Sequence, residues 1–166
     1  MKNFRVVGID PGISGAFALC VDGTIVDVRD MVTIPEIISG KARNRPNPSL
    51  MADLFDEWQK AGPFCAYIEK VQSIRGEGAV GAFAFGKGAG MIEGVLAGLR
   101  IPFTLVSPQI WKRTLNVPAD KNAARARACQ LFPNMAGRFA RVKDDGRAEA
   151  ALIALFGHRD IKGAMS

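Results

Sequence analysis

Nearly continuous apolar runs alternate with polar, glycine- and proline-marked breaks along this chain. FRVVGID (residues 4–10) is almost wholly apolar and β-rich, the pattern of a central strand covered on both faces. SGAFALCV (14–21) and TIVDVRDM (24–31) flank Asp22–Gly23, which predicts a tight hairpin. KARNRPNPS (41–49) is polar and broken by prolines, and reads as a loop. SLMADLFDEWQKAG (49–62) runs from a Ser49 cap to Gly62 with Leu50, Leu54, Phe55 and Trp58 on one face, and predicts a helix. FCAYIEK (64–70) and PFTLVSP (102–108) read as two further strands. GEGAVGAFAFGKGAGMIEGVLAGL (76–99) is glycine-rich, with its later half helical. PQIWKRTL (108–115), DKNAARARACQLF (120–132) and residues 145–157 complete the helices. The order predicts one α/β domain over residues 1–166, a mixed five-stranded sheet with helices on both faces.

Composition narrows the class. A chain of 166 residues with 48% apolar content can bury a sizeable core. No uninterrupted apolar run approaches the roughly 20 residues of a membrane span, so no membrane partner is expected. Asp10 and Pro11 break the N-terminal apolar run, which therefore does not read as a secretory leader. Cys20, Cys65 and Cys129 are far apart and read as reduced core residues of a cytoplasmic protein. The single histidine, His158, excludes a Cys/His metal centre and is expected to meet a helix C-terminus. Trp58 and Trp111 are expected in the core. The net charge of +6 is uneven: between Ser107 and Lys143 eight basic residues oppose one acid, Asp120. That segment carries +7, the footprint of a nucleic-acid partner or of a solvated helix face.

The acids carry the chemistry. Asp10 and Glu69 each end an apolar strand, where a carboxylate is either capping, paired or liganding. In KDDGRAEAALIAL (143–155), Asp145 and Glu149 are four apart and share one helix face. Attraction to the helix N-terminus explains Asp144 or Asp145; it explains Glu149 poorly. If Asp10, Glu69, Asp145 and Glu149 converge, four negative charges in one cleft require metal. Oxygen donors favour Mg²⁺ or Mn²⁺. Two such ions serve in-line phosphodiester hydrolysis.

Three motifs now point to a family. GIDPGISGAFAL (8–19), YIEKV (67–71) and KDDGRAEAALIA (143–154) resemble, in order, the acidic motifs of RuvC-type Holliday-junction resolvases of the ribonuclease H-like superfamily, the last in its phage-type form. SPQIWKRTLNVPADK (107–121) resembles that family's basic DNA-contacting segment. The resemblance implies that Asp10, Glu69, Asp145 and Glu149 are catalytic and bind two Mg²⁺ ions, with Mn²⁺ able to substitute. It implies a homodimer that resolves four-way DNA junctions by paired nicks, within a bacterial host cell if phage-encoded. It further implies that Lys112, Arg113 and Lys121 contact DNA; Arg75 and Lys87 can bind phosphates beside them. Bacterial members commonly place two aspartates three residues apart, whereas here the pair is Asp-x-x-x-Glu, so Asp144 remains a second candidate for the third ligand. Phe83 and Phe85 read as packing residues before base wedges. The alternatives are a ribonuclease H-fold nuclease acting on other branched DNA or on RNA, and a catalytically silent junction-binding protein. Actin-like ATPases share the GIDPG opening, but their second phosphate loop is missing here.

Overall fold

The computed structural model describes residues 3–70, 78–118, 120 and 122–165. Its central sheet has five strands: β1 (Arg5–Asp10), β2 (Ala16–Val21), β3 (Thr24–Asp30), β6 (Cys65–Glu69) and β7 (Phe103–Val106). Their order across the sheet is β3-β2-β1-β6-β7. The first three strands are antiparallel neighbours; β6 joins β1, and β7 joins β6, in parallel. Asp22 and Gly23 both take positive φ at the β2–β3 turn, the backbone a two-residue hairpin loop of this twist needs.

Period two divides β1 between two cores. Val7 and Ile9 face α1 (Pro48–Gln59) and α2 (Ala79–Gly98), packing with Phe17, Phe55, Trp58, Ile92 and Leu96. Val6 faces the other way, with Ala18, Tyr67, Trp111 and the long helix α5 (Asp145–Ala164). The helices α3 (Pro108–Thr114) and α4 (Ala123–Leu131) complete that second layer. From Gly146 to His158, α5 has a nearly unbroken run of buried residues, many of them glycine or alanine. Small side chains let its backbone lie directly on the sheet. A β-carbon at Gly8 would fall 2.1 Å from the Ala150 carbonyl oxygen and 2.3 Å from the Ala154 nitrogen.

Several expectations are corrected. Residues 41–46 are not a loop: β4 (Thr33–Ile38) and β5 (Lys41–Pro46) form a separate two-stranded arm. It turns at Ser39–Gly40, both at positive φ. Its polar strand has no core to face, so the apolar alternation that reveals a strand is missing. The cap of α1 is Asn47, whose Oδ1 accepts from the Leu50 N–H at 3.0 Å, with Pro48 in the first turn; Ser49 already lies inside the helix. Helix α2 runs through its glycines from Ala79, not only over its later half. It is long and apolar enough to cross a membrane by length and composition, against the expected absence of such a run, because alanine and glycine supply apolar character without bulk. It carries Lys87 and Glu93, and it buries Ile92 and Leu96 against the sheet and α1. Helix α5 continues past residue 157, so His158 is not at its end. The imidazole is buried and stacks at 5.7 Å on Phe4, and burial holds its pKa below the ordinary value.

Candidate functional site

The register of β1 and β6 brings the first two acids together. Asp10 lies two residues beyond Gly8 and points to the same face, toward α5. Glu69 lies two beyond Tyr67 and shares its side of the sheet. Because β1 and β6 are parallel neighbours, both carboxylates leave the same edge. Across them runs the first turn of α5. A β-carbon at Gly146 would meet the Ser14 carbonyl oxygen at 2.3 Å and Asp10 Oδ2 at 3.1 Å. No side chain fits there, so an acid three residues before Glu149 is excluded in this backbone. Glu149, one turn further on, faces the pair. The turn after β1 folds over Asp10, whose Oδ1 accepts from the Gly12 N–H at 3.2 Å.

Asp10, Glu69 and Glu149 lie within electrostatic reach of one another. Burial, then the Glu149 charge, pushes the Asp10 carboxyl up to about 6. Burial, then Glu149 and Asp10, pushes Glu69 up to about 7. Lys112 and the local N–H donors pull in the other direction. The Lys112 ammonium lies 3.0 Å from Glu149 Oε1 and 5.1 Å from the Trp111 ring centre. Trp111 is buried as expected, and its indole N–H also donates to Glu69 Oε2 at 3.2 Å. This tether was not legible in the sequence; adjacency to Lys112 was the only signal. Trp111→Phe is expected to keep the fold and, with that donor gone, to raise the Glu69 carboxyl further. An NMR pH titration of the Glu69 carboxyl beside a thermal melt checks it; an unchanged titration would remove Trp111 from the site.

The remaining acids of the opening helix part company. Asp144 is 1% exposed. It accepts from the Arg141 guanidinium at 2.8 Å and the Arg141 backbone N–H at 2.9 Å, and Arg147 Nη1 stands 3.5 Å away. The Arg141 guanidinium holds its carboxyl below the usual range. It locks the entry to α5 and has no coordination left to offer. Asp145 is half-exposed and lies 2.7 Å from Arg125 Nε of α4, an ion pair without hydrogen-bond alignment. It does not figure among the charges that shift Asp10 and Glu69.

Much of the expected basic stripe is engaged internally. Lys112 holds Glu149, Arg125 holds Asp145 and Arg141 holds Asp144. Arg127 donates to the Leu115 carbonyl at 2.8 Å, and Arg138 donates to that of Val28. Arg113 and Lys143 are exposed, as is Lys87 on α2. Arg75 and Lys121 lie outside the described residues.

Asp10, Glu69 and Glu149 offer only carboxylate oxygens, the donors of a hard divalent cation. Their mutual repulsion is the charge deficit such a cation answers, and the donor chemistry fits it. Among the described residues, no three acidic, histidine or cysteine side chains are close enough together to hold an ion as they stand. Lys112 is the cation in contact with the group. The pH dependence follows from the upward shifts. Folded protein retains protons that the unfolded chain loses at its ordinary carboxylate pKa values. Asp10 and Glu69 therefore subtract stability as pH rises from about 4 to about 7, and subtract no more above that. Added Mg²⁺ is expected to raise the melting temperature more at pH 8 than at pH 5, because protonated carboxyls do not bind it. Thermal melts at both pH values check this; an equal response would place the ion elsewhere.

The chain matches no model of a known protein family, and no curated protein matches it. Solved structures do match. RuvC of Thermus thermophilus in complex with a Holliday junction substrate aligns with a TM-score of 0.63 at 16% identity, over 96% of each chain. A further Thermus thermophilus RuvC structure aligns at 0.58 and 18% identity, over 96% of this chain and 97% of that one. The yeast mitochondrial Holliday junction resolvase Ydc2 aligns at 0.52 and 21%, over 94% of this chain and 78% of the other. The fold is that of RuvC: a ribonuclease H-like mixed five-stranded sheet flanked by helices.

Proposed function

We propose that the protein is a metal-dependent, structure-selective endodeoxyribonuclease that resolves four-way DNA junctions by paired nicks. The observation that carries the proposal is the meeting of Asp10, Glu69 and Glu149 where two parallel strands end under α5, in a chain that aligns end to end with a junction-bound RuvC. Asp10, Glu69 and Glu149 would hold divalent cations, Mg²⁺ with Mn²⁺ as substitute, and Asp145 would join them on leaving Arg125. What bound cations supply at such a site is an activated water and charge neutralisation on the phosphoryl oxygens.

The chain's own groups do the rest. Asp10 is oriented by the Gly12 N–H and Glu69 by the Trp111 indole, so both carboxylates are positioned before DNA arrives. The α5 backbone, pressed on the sheet at Gly8 and Gly146, fixes the height of Glu149 above them. Lys112 offsets the charge of the three acids, and its ammonium would be free for a phosphate oxygen if Glu149 held a cation instead. Arg113, Lys87, Arg75 and Lys121 are proposed to contact the backbone around the cut. Two sites in a homodimer would serve the two opposing strands.

Competition cleavage tests the substrate. A labelled four-way junction is expected to be nicked in the presence of a large excess of linear duplex or RNA–DNA hybrid. Inhibition by stoichiometric hybrid or duplex would make the substrate a different one on the same fold.

A further inference from the structure

The β4–β5 arm carries Lys41, Arg43 and Arg45 on one strand, the first two exposed. In the antiparallel register Lys41 stands opposite Ile38, Arg43 opposite Glu36 and Arg45 opposite Ile34. Cross-strand partners share a face, and period two puts alternate residues on it. Lys41, Arg43 and Arg45 therefore form a row of three cations with one acid, Glu36, among them. Glu36 is taken by Arg45, at 3.3 Å. Among the described residues, Lys41 and Arg43 have no ion-pair partner, and both are exposed.

The first turns of α2 form the facing wall. Val80 is 85% exposed and Phe83 74%, and Lys87 projects beside them. A groove of about 400 Å³ between arm and helix is lined by Ile38, Arg43, Arg45, Val80, Phe83 and Lys87. Arg43 and Arg45 also line an adjoining groove of about 620 Å³ that reaches Phe85, Pro11 and Ile13. Pro11 follows Asp10 directly. The three elements meet at Gly88, where a β-carbon would stand 3.6 Å from Pro46 Cγ and 3.9 Å from the Pro11 carbonyl oxygen. The groove is thus continuous with the turn that carries the first acid.

We infer that the β4–β5 arm and the first turns of α2 form a second DNA-binding groove that holds the phosphate backbone of the strand leaving the acidic site. The inference rests on the nuclease reading above and adds a surface to it. Charge selects the occupant. A polyanion satisfies Lys41, Arg43 and Lys87 at once, while the exposed Phe83 and Val80 offer apolar contact to sugars or unstacked bases. A second copy meeting this face about a two-fold axis would set cation row against cation row.

The test is binding of the full chain to a four-way junction in EDTA, across a salt series, for wild type and for the double variants Lys41→Ala with Arg43→Ala and Lys41→Glu with Arg43→Glu. The alanine pair is expected to lose roughly tenfold or more in affinity and to reduce the log–log salt slope by about 2, close to 0.9 per phosphate contact. The glutamate pair is expected to lose more. Among the described residues neither side chain has an ion-pair partner, so the alanine pair is expected to keep the wild-type melting temperature; the glutamate pair, set opposite Glu36, is expected to melt lower and is read only beside the alanine pair. Wild-type affinity and slope in both variants would overturn the groove while leaving the nuclease reading intact. A changed molecular mass in solution with an unchanged slope would also overturn it, making the arm an interface between copies. Failure of the wild type to bind any branched DNA would remove both.

Discussion

Glu69→Gln and Asp10→Asn are each expected to cut nicking at least about a thousandfold while junction affinity in EDTA stays within about twofold. A missing ligand removes several kcal/mol of transition-state charge stabilisation, and about 1.4 kcal/mol is a factor of ten. Affinity rests on cations elsewhere, so it is spared. The same physics predicts that the variants fold well. Burial and the neighbouring acids already push Asp10 to about 6 and Glu69 to about 7, so at pH 8 their charge is a burden on the metal-free fold. A neutral amide of the same shape relieves it. Both variants should melt at or above the wild-type temperature in EDTA, and below wild type in its Mg²⁺-bound form. A Glu69→Gln protein that nicks within tenfold of wild type would take Glu69 out of the chemistry.

Gly8→Ala is expected to be among the most destabilising single substitutions in the chain, at about 3 kcal/mol or more. The added β-carbon would lie 2.1 Å from the Ala150 carbonyl oxygen and 2.3 Å from the Ala154 nitrogen, both backbone atoms of α5. No side chain can swing aside, so the helix must lift from the sheet or the strand must bend, and overpacking of a rigid pair exceeds the usual 1–3 kcal/mol. Glu149 rides on the same helix, so nicking should fall with stability. Gly90→Ala is the control: its β-carbon would meet nothing within 4 Å on exposed α2. Alanine there should stabilise by about 0.5–1 kcal/mol through helix propensity. Urea denaturation of the two variants checks the contrast; equal midpoints would mean that α5 does not press on β1 as described.

The central sheet was legible because its strands are buried on both faces or alternate cleanly, and because Asp22–Gly23 marks its first hairpin. The β4–β5 arm was not, since a strand that packs against no core has no reason to alternate apolar and polar residues. The start of α2 was hidden by its glycines, whose low helix propensity reads against a helix. Among the acids, strand ends pointed to Asp10 and Glu69, and helical spacing pointed to Glu149. The same spacing could not settle between Asp144 and Asp145, because a single residue step sends them to different arginines: Asp144 inward to Arg141, Asp145 across to Arg125. Nor could it show that the basic segment from Lys112 to Lys143 is largely spent on internal partners. Linear charge density counts cations without saying which carbonyls and carboxylates they hold.

The most direct measurement is the mapping of nicks on a mobile four-way junction, each strand labelled in turn, with Mg²⁺ and with EDTA, for wild type and Glu69→Gln side by side. Symmetric nicks in two opposing strands, made by wild type with Mg²⁺ and by neither protein in EDTA, are the predicted result. Binding without nicks in any lane, or nicks that persist in EDTA or in Glu69→Gln, would contradict a metal-dependent junction nuclease built on these carboxylates.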